Sequence, residues 1–232
     1  MLARVAPAPD GATAVPVVLV HGVIVSSRYL LPLGVELARD GAVVAPDLPG
    51  FGHSSPRALS LPVLADAVID AAAACGHDRV ALVGNSFGAQ VAVEAAVRWP
   101  GVVDRLVLLG PTVDPSARSL AAQGLRWVRN APDEHPSSVA LMARDLVDLG
   151  VPRAAAALRV MLADRIEDKL GSLRCDVLVV RGARDRVAPA GWCDAAAARA
   201  GGRCVSLSAG AHMAHYARAL ETAAALRPFL AA

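Results

Sequence analysis

Residues 80–89 constrain this chain more than any other stretch. Four apolar residues, Val80-Ala81-Leu82-Val83, run into Gly84-Asn85-Ser86-Phe87-Gly88, and a helical pattern follows to about Trp99. The order is strand, sharp turn, helix, with a serine at the apex. A serine pushed out at the tip of so tight a turn occupies strained backbone. The residues two before and two after it must come close to one another, so side chains there would clash, and both are glycine. The turn sets Ser86 at the carboxyl end of a strand, beside a helix N-terminus whose free amides can hold an anion.

The rest of the chain repeats the rhythm. Apolar runs at 15–20, 42–45, 103–109, 176–180 and 203–207 read as short strands, several rich in valine. Such runs fit strands buried on both faces of a parallel sheet. Helical patterns alternate with them. One runs to about Asp40 with Ser26 or Ser27 as its cap and Gly41 as its stop; another spans 61–74 behind Ser60 and closes at Gly76. Later ones span 189–200 and 216 to the end. This alternation predicts an α/β fold with a mostly parallel, doubly wound sheet. The rhythm breaks at 112–172, where patterns at 117–129, 138–149 and 153–170 are helical. A length of 232 residues suits one domain: a core of 1–111 and 173–232, with a helical insertion between the strands ending near Leu109 and Val180.

Composition narrows the functional classes. The chain is 55% hydrophobic and 19% charged, enough for a large core and too apolar for disorder. A net charge of +2 gives no field for nucleic acid or a membrane surface. Residues 1–16 lack the continuous apolar run of a signal peptide, and no stretch has the length and apolarity of a membrane span, so a soluble cytoplasmic protein is expected. Cys75, Cys175, Cys193 and Cys204 form no metal-binding spacing and read as thiols in a reducing compartment, with a Cys193–Cys204 bridge left open. The scattered histidines give no metal site, and neither a phosphate loop nor a dinucleotide fingerprint is present. No cofactor is expected.

Three polar residues lie just beyond the ends of three strands: Ser86, Asp185 and His212. In a parallel α/β sheet the carboxyl ends of the strands share one rim, so all three are expected there. Their chain order, Ser, Asp, His, is that of the α/β-hydrolase triad. Together with His21-Gly22, Asp47-x-Pro49-Gly50-x-Gly52-x-Ser54, Gly84-x-Ser86-x-Gly88, Gly182-x-x-Asp185-x-Val187-x-Pro189 and Gly210-Ala211-His212, they make the chain resemble a serine hydrolase of the α/β-hydrolase superfamily. The match spans nearly the whole chain. Ala211 and Ala89 stand where that family often has glycine, and neither replaces a functional group.

The resemblance implies roles. Ser86 is the nucleophile, His212 its base, and Asp185 the carboxylate that orients the imidazole. The backbone N–H groups of Val23 and Phe87 form the oxyanion hole. Asp114, after the strand ending at Leu109, competes with Asp185 for the acid, and His215 competes with His212. Asp47, His21 and His53 read as loop-shaping.

The insertion is expected to lie over the rim as a lid that shapes the pocket. Helical spacing assigns most of its large apolar residues, including Leu125, Val128 and Leu146, to the lid's own core. Trp127, Met142 and Met213 are the pocket candidates, and Arg126 and Arg129 are either carboxylate partners or solvated surface. The expected activity is hydrolysis of a carboxylic ester, thioester or lactone of a small to medium apolar substrate. Two alternatives stand beside it: a carbon–carbon bond hydrolase of the aromatic-degradation type, and a ligand-binding or sensor protein of the same fold. The loop Val23-Ile24-Val25-Ser26-Ser27 and Met213 after the histidine depart from the pattern of the carbon–carbon hydrolases. The expected partner is a small-molecule substrate, with monomer and homodimer both open.

Overall fold

Valine-rich runs become the strands that the pattern predicts. The computed structural model describes residues 1–12, 14–55 and 59–231; Ala232, at the end of the last predicted helix, lies outside them. The strands are β1 (Ala3–Ala6), β2 (Val17–Val20), β3 (Val43–Pro46), β4 (Val80–Asn85), β5 (Val103–Leu109), β6 (Asp176–Arg181) and β7 (Arg203–Ser206). They form one sheet in the order β1-β3-β2-β4-β5-β6-β7. Every pairing is parallel except that of β1 with β3.

Helices cover both faces: α1 (Leu31–Leu37), α2 (Leu61–Ala74), α3 (Phe87–Arg98), α4 (Leu120–Asn130), α5 (Pro136–Leu149), α6 (Val151–Ala163), α7 (Ile166–Lys169), α8 (Ala190–Arg199), α9 (Ala214–Ala217) and α10 (Ala219–Leu230). Side chains alternate between the faces with the strand period of two. Val18, Val20, Leu82, Leu106 and Val179 pack in one core with α2, α3 and α8. Val17, Leu19, Val83, Val107 and Val180 pack in the other with α1 and α10. Each fully buried Leu or Val contributes about 1.5–3 kcal/mol of transfer free energy. None of the described helices is long and apolar enough to cross a membrane.

Two local expectations change. Residues 3–6 form an antiparallel edge strand on β3 where the Ala/Pro-rich start carried no strand signal; its four residues gain their order from pairing, not propensity. The pattern at 153–170 is two helices, because Asp164 is extended between α6 and α7. Its carboxylate accepts from Lys169 Nζ at 2.5 Å and its carbonyl from Arg118, an alternative to continuing the helix. All four thiols are free, as the reading of them as reduced thiols expects, and the Cys193–Cys204 bridge left open is not formed.

Candidate active site

The turn between β4 and α3 brings Ser86 to φ 57°, ψ −119°, a region that non-glycine residues rarely occupy. A Cβ on Gly84 would lie 2.3 Å from the carbonyl oxygen of Gly88, so the close approach across the turn is real. A Cβ on Gly88 would instead strike the Val20 oxygen at 2.2 Å, so that glycine is required by the neighbouring strand end. Ser86 N–H donates to Leu109 O at 3.0 Å. Phe87 is the first residue of α3, where a backbone N–H has no partner within its own helix.

Gly110, directly after β5, leaves room for a buried pair. His212 Nδ1 lies 2.9 Å from Asp185 Oδ2, and a Cβ on Gly110 would come within 2.7 Å of that carboxylate and 3.0 Å of that nitrogen. The other Asp185 oxygen accepts from the N–H groups of Val187 at 2.9 Å and Ala188 at 2.8 Å. Asp114 turns elsewhere, to Ser116 and to Arg126 at 2.6 Å. The pairing of His212 is therefore with Asp185. Burial opposes charging of His212, but the Asp185 carboxylate outweighs it, with Glu134 adding to the effect, and the pKa is raised. His212 Nε2 is buried with no hydrogen-bond partner among the described residues. A neutral imidazole so oriented can take a proton on that nitrogen. His215 lies in α9, and burial followed by repulsion from His212 pushes its pKa down to about 3.

The loop after β2 passes against the elbow. A Cβ on Gly22 would lie 3.3 Å from Ser86 Cβ. Gly22 N–H donates to Tyr29 Oη at 2.7 Å, and that hydroxyl donates to Asn85 Oδ1 at 2.7 Å. Tyr29 thus ties the loop to the elbow; nothing in its local sequence marks it. His21 shapes the loop, its Nδ1 bonded to Gly22 O and its Nε2 accepting from Leu48 N–H. Asp47 accepts from Ser27 N–H at 2.9 Å, Ser27 Oγ at 2.6 Å and His53 N–H at 3.1 Å. Burial works against that charge, but these donors win and hold its pKa low. Ser26 and Ser27 therefore do not cap a helix: both hydroxyls face carboxylates, Asp47 for Ser27 and Asp145 for Ser26.

The insertion bonds the loops after β2, β3, β6 and β7. Glu134 Oε1 accepts from Met213 N–H at 2.9 Å and from Asn130 Nδ2 at 2.7 Å. Asn130 Oδ1 accepts from Arg186 N–H at 3.1 Å. Arg126 is partly exposed but bonds Asp114 and Val187 O, so its guanidinium is committed to the protein. Trp127 stands edge-on to the His212 ring at 5.6 Å. Met142 is half-buried near the same core, and Met213 is buried within it. Glu134, Asn130 and Asp145 carry no sequence signal: Asp145 reads as a polar residue on a surface helix, and Asn130 and Glu134 as polar residues in the break between two helical patterns. Leu125, Val128 and Leu146 are exposed rather than in a core of the insertion. Among the described residues no group of three or more His, Cys, Asp or Glu is placed to hold a metal ion.

This arrangement can be set beside known proteins. The profile of the "Alpha/beta hydrolase family" matches residues 17–225. A 2-hydroxy-6-oxo-2,4-heptadienoate hydrolase of Pseudomonas putida is 31% identical over 209 residues, covering 75% of this chain and 73% of that one. A pimeloyl-[acyl-carrier protein] methyl ester esterase of Stenotrophomonas maltophilia is 31% identical, with 92% of each chain covered. Uncharacterised mycobacterial proteins align over only 28% of their own length. The crystal structure of the enol-lactonase from Burkholderia xenovorans superposes with a TM-score of 0.83 at 20% identity, covering 100% of this chain and 96% of that one.

Proposed function

This chain belongs to the alpha/beta hydrolase family, and we propose that it is a serine hydrolase cleaving a carboxylic ester, thioester or lactone of a small to medium apolar substrate. The observation that carries the reading is the buried His212–Asp185 pair at 2.9 Å, with Nε2 unbonded, on the rim that carries Ser86. Ser86 Oγ attacks the carbonyl carbon while His212 Nε2 takes its proton. The N–H groups of Val23 and Phe87 receive the oxyanion. As the tetrahedral species collapses, His212 returns the proton to the departing alcohol or thiol. Water, deprotonated by the same nitrogen, then releases the acid from the acyl-enzyme.

The insertion at 112–172 serves as the lid, and Trp127, Met142 and Met213 contribute to the acyl pocket beneath it. The free thiols fit a reducing, cytoplasmic setting. A second reading, carbon–carbon bond hydrolysis, draws on the likeness to the Pseudomonas putida hydrolase and would use the same residues.

The test is fluorophosphonate labelling followed by a panel of nitrophenyl esters of rising chain length. Ser86 is expected to be labelled, and Ser86→Ala to lose both labelling and turnover. No label at Ser86 and no ester cleaved would overturn the proposal; turnover of vinylogous diketones alone would move it to the second reading.

A further inference from the structure

We infer that Asp145, on insertion helix α5, is a positioning residue that holds the oxyanion loop in its working shape. The inference rests on the serine-hydrolase reading above, in which Val23 N–H is an oxyanion donor. Asp145 Oδ2 accepts from both Ser26 N–H and Ser26 Oγ, each at 2.7 Å, and Oδ1 accepts from Arg28 Nη1 at 2.9 Å. The carboxylate is 4% exposed. Bonds to an ionised acceptor in such a setting are among the stronger ones a protein makes.

Between Val23 and Ser26 stands Ile24 at φ 66°. A β-branched residue is a poor occupant of left-handed backbone, because its Cβ crowds the following carbonyl. Such a conformation persists only where the surroundings over-determine it. The surroundings here are two carboxylates gripping consecutive serines. Asp47 takes Ser27 from the sheet side; Asp145 takes Ser26 from the insertion. Pointing Ser26 N–H at α5 fixes the Val25–Ser26 peptide plane, and with it the turn through Ile24 that aims Val23. An oxyanion donor works only if it is in place before charge develops. Asp47 supplies part of that order from within the core. Asp145 makes the rest depend on the seating of the insertion, so the insertion shapes the reaction centre as well as the pocket.

The experiment compares the wild type with Asp145→Asn, Asp145→Ala, and Asp145→Ala combined with Ile24→Gly. It reads the rate of Ser86 labelling by a fluorophosphonate, kcat and KM on a nitrophenyl ester, and hydrogen exchange at the Ser26 amide. Asp145→Ala is expected to slow labelling and kcat by about 10- to 100-fold, short of the full loss of one donor, with KM within about threefold and faster Ser26 exchange. Asp145→Asn keeps one carbonyl acceptor and is expected to lose about three- to tenfold. Ile24→Gly removes the strain and is expected to recover about tenfold in the Asp145→Ala background. Wild-type labelling and kcat in folded Asp145→Ala, or losses that neither asparagine nor Ile24→Gly lessens, overturn the inference. If Asp145→Ala does not fold, wild-type rates in Asp145→Asn overturn it. If the wild type neither labels nor cleaves esters, it is the serine-hydrolase reading that fails. Unchanged Ser26 exchange in Asp145→Ala then overturns the lock itself.

Discussion

The core and the first half of the insertion are held by opposite means, while α6 and α7 join the core through Ala157, Met161 and Ile166. In the core, β2 and β4 are buried along their whole length, and their side chains reach α1, α2, α3 and α10 by apolar contact. In the insertion, α4 buries Gln123 and Asn130, and α5 buries Ser138 and Asp145, each pair seven residues apart on one face. The apolar residues of these helices include Val128 at 71% exposure and Val147 at 80%. Apolar burial is strong but indifferent to direction. Hydrogen bonds are weaker net, yet each demands one geometry. The core therefore supplies stability and the elbow, while the insertion supplies orientation to the loops after β2, β6 and β7.

Breaking the centre that the core builds is expected to cost most. Asp185→Asn should lower kcat by about 10,000-fold, by leaving the imidazole in the wrong tautomer. The Asp185 carboxylate is the chief group raising the His212 pKa against burial. On the proposed mechanism His212 takes a proton only when neutral, so wild-type activity is expected to fall as pH drops through a value above the ordinary histidine range. The residual kcat/KM of Asp185→Asn should keep its acid limb to lower pH. A pH–rate profile decides it, and an unshifted limb would remove Asp185 from the pair.

Next in size is the steric demand of the elbow. An alanine at Gly84 would press on backbone at 2.3 Å, and about 3 kcal/mol of destabilisation is expected, read from urea unfolding. Wild-type stability in Gly84→Ala would show that the turn can open.

The insertion should respond more gently. Glu134→Ala leaves the buried Met213 N–H without its acceptor and should lower kcat about tenfold, whereas Glu134→Gln keeps the bond and most of the activity. Equal losses in the two would make the charge, and not the bond, the relevant property. Smallest of all, Gly124→Ala in α4 meets nothing within 4 Å. It should stabilise the protein by about 0.5–1 kcal/mol in thermal melts, through helix propensity alone. A loss there would mean that α4 depends on packing as the core does.

Legibility in the sequence followed the same division. The helix at 61–74 and the strand at 103–109 appear at their expected bounds, because period and burial coincide there. The position of the last strand predicts His212 in a loop and His215 near a helix, and both stand so. The insertion differs where it matters. The apolar period of its first helices predicts an inward apolar face, while α4 and α5 turn polar residues inward onto loop backbone that needs partners.

Local sterics and periodicity were enough to set the strand–turn–helix at Ser86 and the alternation that brings strand ends to one rim. They act over a few residues and are written in neighbouring side chains. The motif around Asp185 already names it over Asp114 as the partner of His212, and the two do pair; which carboxylate takes Ser26 across 119 residues of sequence is decided by the tertiary structure. Such partners are chosen by which buried donors lack an acceptor once the sheet and the insertion have met, and no local pattern records that.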